Sequence, residues 1–131
     1  MAHAIHGYNG KCKDIHGHSY ELHVSVTNGN KDDFCEAPGF IIDFKDLKSI
    51  VQENIIANAD HKLMLSKTFL NEHPQFLSAN NLVSINFEPS AENLLLYFHN
   101  LIVNKFPPYI KIYKMRIYET RDSFAEWIDK S

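Results

Sequence analysis

Residues 12–27 have the sequence CKDIHGHSYELHVSVT, and this stretch decides the prediction of the fold. From His18 to Thr27 apolar and polar side chains alternate, which predicts a β-strand whose side chains point to opposite faces in turn. His16 and His18 lie two residues apart, so both project from one face at the end of an otherwise apolar row. Two imidazoles without partners are costly to bury, and a shared metal ion is the usual solution. The stretch therefore predicts a metal site at a strand end, close to the thiol of Cys12.

Composition predicts one globular domain spanning residues 1–131. Hydrophobic residues make up 44 % of the chain and charged residues 22 %, which is ordinary for a soluble protein. A formal charge of −3 gives no support for a nucleic-acid-binding surface, and no apolar run has the length of a membrane span. The two cysteines, Cys12 and Cys35, lie in different contexts, which favours a reducing cytoplasm over a disulfide framework.

Three more strands are predicted, at Phe40–Asp43, Leu82–Phe87 and Lys111–Thr120. In the last strand, the predicted inward face carries Tyr113, Met115, Ile117 and Glu119.

Two helices are predicted between these strands. Asp43 is an expected N-cap, and apolar residues at helical spacing continue to about Asn58. Ser90, after Pro89, is the expected cap of the second helix. Residues 63–81 are expected to form a loop with a short helix. The order ββ-α-β-α-β predicts an α+β domain in which two helices cover one face of a four-stranded antiparallel sheet.

Five motifs in this order resemble the 6-pyruvoyltetrahydropterin synthase family, which includes the bacterial 6-carboxytetrahydropterin synthases. They are Cys12-x3-His16-Gly17-His18, Gly39-Phe40-Ile41-Ile42-Asp43-Phe44, Asp60-His61, Pro89-Ser90-Ala91-Glu92-Asn93 and Tyr118-Glu119-Thr120. The resemblance covers nearly the whole chain. It implies a tunnelling fold, or T-fold, and a homohexamer of two stacked trimers with active sites between subunits.

The resemblance also implies a catalytic zinc ion held by His3, His16 and His18, with a fourth position left open. His3 matches the family's ligand in an Ala-His segment. Family members have a longer strand ahead of it, so the first strand is expected to be truncated, with His6 as the alternative ligand. The other interpretation is that the histidines only cap a strand.

Cys12 is the general base that the resemblance implies. Zinc, Lys11 and Lys13 would all favour its thiolate by lowering the thiol pKa. The alternatives are a fourth ligand in a closed structural site, or an inert buried thiol. Cys35 is interpreted as a bystander.

Asp60 and His61 resemble the family's charge-relay pair, in which an imidazole exchanges a proton near neutral pH. A solvated loop is the alternative. Glu119 is implied to anchor the pterin, whose ring N–H and 2-amino group suit a carboxylate, and to join the proton relay. The alternative interpretation of Glu119 is a surface carboxylate at the end of a strand. Arg116 and Arg121, the two arginines, are candidates for contacting a triphosphate.

The implied substrate is 7,8-dihydroneopterin triphosphate. Three residues separate Cys12 from His16, which resembles the bacterial branch that forms 6-carboxytetrahydropterin, acetaldehyde and triphosphate in queuosine biosynthesis. The alternatives are the pyruvoyl branch, which eliminates triphosphate, and a non-catalytic zinc- or pterin-binding protein. A generic zinc hydrolase is disfavoured because the chain has no helical His-Glu-x-x-His pattern.

Overall fold

The computed structural model describes residues 1–8, 14–30 and 32–131. Cys12, Lys11 and Lys13 therefore lie outside the described residues. Within these ranges the strands are β1 Ala2–His3, β2 His16–Gly17, β3 Glu21–Thr27, β4 Leu63–Ser66, β5 Leu82–Ile85, β6 Lys111–Thr120 and β7 Ser123–Ile128.

The described strands form two sheets. A mixed sheet has the order β2-β1-β4-β5, and an antiparallel sheet has the order β3-β6-β7. The prediction of a single four-stranded antiparallel sheet is therefore wrong, although the α+β class is confirmed. The strand predicted at His18–Thr27 is shorter in the structure, where β3 begins at Glu21. His16 and Gly17 form the separate strand β2, which pairs with β1, whereas β3 pairs with β6.

Neither β4 nor β7 was predicted. All four residues of β4 are buried, and the strand pairs in parallel with both β1 and β5. A strand covered on both faces shows no polar alternation, so Leu63–Ser66 gave no clear strand signal. β7 returns along β6 after a tight connection at Arg121 and Asp122.

Two of the helices begin directly after the predicted N-caps, Asp43 and Ser90. α1 spans Phe44–Val51, continues as a π-helical segment at Gln52–Ile56, and ends as α2 at Ala57–Ala59. α3 spans Lys67–Glu72, a 3₁₀ turn spans Pro74–Ser78, and α4 spans Ala91–Ile102. The side chain of Asp43 accepts a hydrogen bond from the Lys45 amide at 2.8 Å, and Ser90 accepts one from the Asn93 amide at 3.2 Å. Both caps are confirmed.

Two local predictions fail. Phe40–Asp43 forms bends rather than a strand, after a turn at Gly39 whose φ is 94°. Tyr113 is exposed, because the β3–β6 register shifts so that Ser25 faces Lys114 and Val26 faces Ile112. This bulge places Ile112 in the core in place of Tyr113.

The main core lies between the antiparallel sheet and the helices, with Leu94, Phe98, Met115 and Ile117 among its buried residues. A smaller cluster packs Leu63 and Leu65 against α3. No helix in the part of the chain that the structure describes combines the length and apolar character needed to cross a membrane.

Candidate metal centre and catalytic site

Sheet pairing brings three imidazoles together. His3 on β1 faces His16 on β2 directly in the antiparallel register, and His18 follows two residues after His16. One ring nitrogen from each of the three lies within 4.8 Å of the others. We call His3, His16 and His18 the histidine trio. Among the described residues, it is the group that brings together enough nitrogen ligands to hold a metal ion.

Hydrogen bonds fix the tautomers of two of these rings. Nδ1 of His3 lies 2.6 Å from the carbonyl oxygen of Pro89, and Nδ1 of His16 lies 2.8 Å from that of Asp14. A carbonyl accepts only, so each Nδ1 must carry the proton and donate it. When both rings are neutral, each Nε2 atom is therefore unprotonated and can only accept a hydrogen bond. The two Nε2 atoms nevertheless lie 3.0 Å apart. Two acceptors at that distance repel unless a cation lies between or beside them.

Burial strengthens this argument. His3 is 1 % exposed, and burial lowers its pKa from 6.5 to about 4, so its ring is neutral at physiological pH. Burial also lowers the pKa of His18, an effect that the charge of Glu119 partly opposes. Nε2 of His18 is buried and has no hydrogen-bond partner among the described residues. A buried polar nitrogen without a partner is destabilising, and coordination to a metal would satisfy it.

The residues present therefore fit a divalent metal ion. Neutral imidazoles are preferred ligands of zinc, and ligating histidines usually donate their other N–H to a carbonyl or carboxylate. His3 and His16 already make such bonds through Pro89 and Asp14. The hydroxyl of Tyr20 lies 3.2 Å from Nε2 of His3, beside the same nitrogen.

A cavity of about 820 Å³ opens beside the histidine trio. His18 lines it from one side, and Asp60, His61 and Asn81 line it as well. Apolar side chains of the π-helical segment and α4, including Ile55 and Phe98, form other parts of its wall. This volume lies within the usual range for small-molecule sites.

Asp60 and His61 are hydrogen-bonded to each other at the end of α2, with Nδ1 of His61 3.2 Å from Oδ1 of Asp60. We call them the relay pair. The His61 backbone has a φ of 60°, which is uncommon for a residue other than glycine. The side-chain amide of Asn81 donates a hydrogen bond to the backbone carbonyl of His61 at 3.0 Å, and this bond holds the turn. The relay pair is well exposed, with 86 % of the His61 side chain and 60 % of the Asp60 side chain accessible.

Glu119 lies on β6 where the register with β7 shifts between Tyr118 and Thr120. It is partly buried and close enough for its charge to raise the pKa of His18 against the effect of burial. The carboxylate of Glu119 is therefore near His18.

Other predicted residues lie elsewhere. Nδ1 of His6 is 3.4 Å from Glu72, and His6 is not part of the trio. Arg116 donates to Glu126 at 2.9 Å and to Tyr118 at 2.8 Å, so its guanidinium is already paired. Arg121 lies in the exposed turn between β6 and β7. Cys35 is exposed and free.

Sequence reasoning missed two contributors to this region. The backbone carbonyl of Pro89 orients the ring of His3. Such an acceptor cannot be predicted from residue type, because it does not belong to a side chain. Asn81 fixes the turn at His61; its place just before a predicted strand was the one available signal.

Comparisons with known proteins agree with this architecture. A family model for 6-pyruvoyl tetrahydropterin synthase matches residues 1–129. A Haemophilus influenzae protein named 6-carboxy-5,6,7,8-tetrahydropterin synthase is 31 % identical, over 97 % of this chain and 91 % of its own length. A 6-pyruvoyl tetrahydrobiopterin synthase from Dictyostelium discoideum is 27 % identical, over 88 % of this chain and 72 % of its own.

Solved structures show the same fold. The 6-pyruvoyl tetrahydropterin synthase of Plasmodium vivax superposes with a TM-score of 0.64 at 19 % identity, covering 96 % of this chain and 87 % of that one. An uncharacterized protein from Wolinella succinogenes gives 0.76 at 16 % identity, with 98 % and 92 % covered. The fold is that of a T-fold pterin synthase. The chain belongs to the 6-pyruvoyl tetrahydropterin synthase family.

Proposed function

We propose that this protein is a zinc-dependent 6-carboxy-5,6,7,8-tetrahydropterin synthase acting on 7,8-dihydroneopterin triphosphate. The observation that carries the proposal is the histidine trio, whose ring nitrogens converge and include the buried, unpartnered Nε2 of His18, and whose member His18 lines the same cavity as the relay pair. Zinc fits this donor set, because three neutral imidazoles leave a fourth position open for substrate.

The carboxy product is favoured by the relatives. Relatives from Haemophilus influenzae, Rickettsia typhi and Archaeoglobus fulgidus have names that specify the 6-carboxy activity, the last as a putative assignment, at 29–31 % identity. In the overall reaction, water and 7,8-dihydroneopterin triphosphate would give 6-carboxytetrahydropterin, acetaldehyde and triphosphate. We assign the product to queuosine biosynthesis.

When bound, zinc would supply Lewis acidity toward the hydroxyl groups of the substrate side chain. Cys12 would act as thiolate base and remove a proton from a side-chain carbon. His61, with its charge balanced by Asp60 at 3.2 Å, would return a proton. Glu119 would accept hydrogen bonds from the pterin ring N–H and 2-amino group, holding the ring in register.

The proposal includes a homohexamer of two stacked trimers, acting in the cytoplasm. Exposure of the relay pair supports this arrangement, since a proton-transfer pair is more effective when water is excluded from it. A neighbouring subunit would provide that cover. Light scattering on the purified protein would measure the assembly size.

Product analysis tests the proposed activity. Zinc-loaded protein is incubated with 7,8-dihydroneopterin triphosphate, acetaldehyde is trapped, and the pterins are identified by mass spectrometry. We expect acetaldehyde and 6-carboxytetrahydropterin in equal amounts. Pyruvoyltetrahydropterin without acetaldehyde would assign the protein to the pyruvoyl branch.

A pair of cysteine variants tests the catalytic assignment. Cys12→Ala should lose turnover by about 10²-fold or more while it keeps zinc, as expected for loss of a general base. Cys35→Ala is the matched control, because this thiol is free and exposed, and it should be as active as the unsubstituted protein. Loss of zinc from Cys12→Ala would instead indicate a closed structural site, and full activity would remove Cys12 from the mechanism.

A further inference from the structure

The third residue of the chain is among its most buried, although it belongs to a strand of two residues. His3 is 1 % exposed, and its strand is only two residues long. β1 is paired on both sides, to β2 and to β4. A strand of two residues forms few ladder bonds, so further contacts must hold His3 at the proposed metal site.

Two such contacts come from consecutive residues ahead of α4. The carboxylate of Glu88 accepts a hydrogen bond from the backbone amide of His6 at 2.7 Å. The carbonyl of Pro89 accepts the Nδ1–H of His3 at 2.6 Å. These bonds hold the segment after β1 at one point and the imidazole at the other, so together they fix both the position and the rotation of the ring.

The acceptors are themselves held rigidly. The side-chain amide of Asn93 donates to the Glu88 carbonyl at 3.0 Å, and the Ser90 amide donates to the same carbonyl at 2.9 Å. The Asn93 backbone amide in turn donates to the Ser90 hydroxyl at 3.2 Å. Residues 88–90 are thus fastened to the first turn of α4, which sets the direction of the Pro89 carbonyl.

We propose that Glu88 and Asn93 are positioning residues that preset His3 as a metal ligand. We call the Glu88–His6 and Asn93–Glu88 bonds together the N-terminal clamp. The inference rests on the proposed metal-binding function of the trio. Neither residue is a member of the trio: Glu88 holds the backbone beyond His3, and Asn93 holds the loop whose carbonyl orients the ring. Groups that hydrogen-bond to metal-ligating histidines, or hold their hydrogen-bond acceptors in place, raise the affinity of the site for the metal.

Zinc titration of the metal-free, full-length protein against a competing chromophoric chelator tests the clamp. Glu88→Ala removes the acceptor and should weaken zinc binding roughly tenfold or more. Glu88→Gln keeps an oxygen that accepts from the His6 amide, so it should restore most of the affinity. Asn93→Asp replaces the donor by a carboxylate facing a carbonyl, and it should also weaken zinc binding.

Glu92→Ala is the matched control, because it removes an exposed acid from the first turn of the same helix. Its zinc affinity should be unchanged. Thermal unfolding and amide exchange at residues 2–6 of the metal-free variants separate positioning from general destabilisation: the clamp predicts faster exchange there in Glu88→Ala but not in Glu88→Gln.

Full zinc affinity in Glu88→Ala would overturn the clamp while leaving the trio intact. Equal losses in Glu88→Ala and Glu88→Gln would also overturn it, because they would assign the effect to charge. Absence of zinc binding by the unsubstituted protein would reject the metal site itself, and with it any role of the clamp.

Discussion

The histidine trio, through His18, and the relay pair meet at one cavity but are held in opposite ways. His3 is buried, its ring is oriented by a backbone carbonyl, and its strand is paired on both sides. The His61 side chain is 86 % exposed, and the residue is held by one hydrogen bond at its carbonyl and one between its ring and Asp60. The candidate metal site is therefore preorganised within a single chain, whereas the proposed relay pair is open to water in that chain.

Loss of a trio ligand should have the largest effect. His16→Ala should weaken zinc binding by more than about 100-fold, beyond the range for loss of an outer partner, and should abolish turnover. His23→Ala is the matched control, since His23 lies on the exposed face of β3 beside Glu21. Zinc titration and the acetaldehyde assay measure both effects. Retained zinc in His16→Ala would show that the trio is not the metal site.

Loss of the relay imidazole should affect turnover alone. His61→Ala should lower kcat by about 10²- to 10⁴-fold, the usual contribution of a general acid or base. Zinc affinity should not change, because the exposed His61 side chain is not a trio member. Parallel kinetics and metal titration separate the two readouts. A joint loss of zinc and turnover would mean that the two regions are not independent.

Acid should destabilise the metal-free protein through the trio. His3 in the unfolded chain binds a proton near pH 6.5, whereas in the folded protein it does so only at about pH 4. The unfolded state therefore binds more protons between these values, and stability falls as pH drops through this window. The full effect of a shift this large is about 3 kcal/mol.

Urea unfolding in a chelator at several pH values between 7.5 and 4 measures this loss. His3→Gln should show a shallower dependence on pH, and the exposed His23→Gln should follow the unsubstituted protein. If the free energy of unfolding depended on pH equally in His3→Gln and in the unsubstituted protein, the loss of stability between pH 6.5 and about pH 4 could not be assigned to His3.

Removal of the bond that holds His61 should have the smallest effect. Asn81→Ala removes the donor to the His61 carbonyl, and a hydrogen bond of this kind contributes about 1 kcal/mol net. We expect kcat to fall by about fivefold with zinc affinity unchanged. Asn58→Ala is the control, because Asn58 makes a similar side-chain bond to the Asn54 carbonyl on the helix surface. Equal kcat values for the two variants would show that the turn holds without Asn81.

The sequence predicted the parts of the molecule whose signals are local. The N-caps Asp43 and Ser90 are confirmed because each cap bonds an amide two or three residues away. The grouping of His16 with His18 followed from strand geometry, and His3 came from the family resemblance. The structure adds the reason for their meeting, which is the direct pairing of His3 with His16.

The missed features depend on partners distant in sequence. β4 is covered on both faces, so its apolar run carried no alternation. The exposure of Tyr113 depends on a bulge opposite Ser25 and Val26, which the sequence of β6 alone does not reveal. The orientation of His3 depends on the carbonyl of Pro89, 86 residues away, and every residue type has such a carbonyl.

The π-helical segment Gln52–Ile56 has a consequence for the direction in which the helix ends. Such a segment is one residue wider than an α-helical turn, and each residue advances an α-helix by about 100°. The wider turn takes up the extra residue, so Asp60 and His61 keep about the direction that they would have after an α-helix one residue shorter. If the same residues wound as an ordinary α-helix throughout, Asp60 and His61 would instead turn by about 100° away from their present direction, in which both line the cavity.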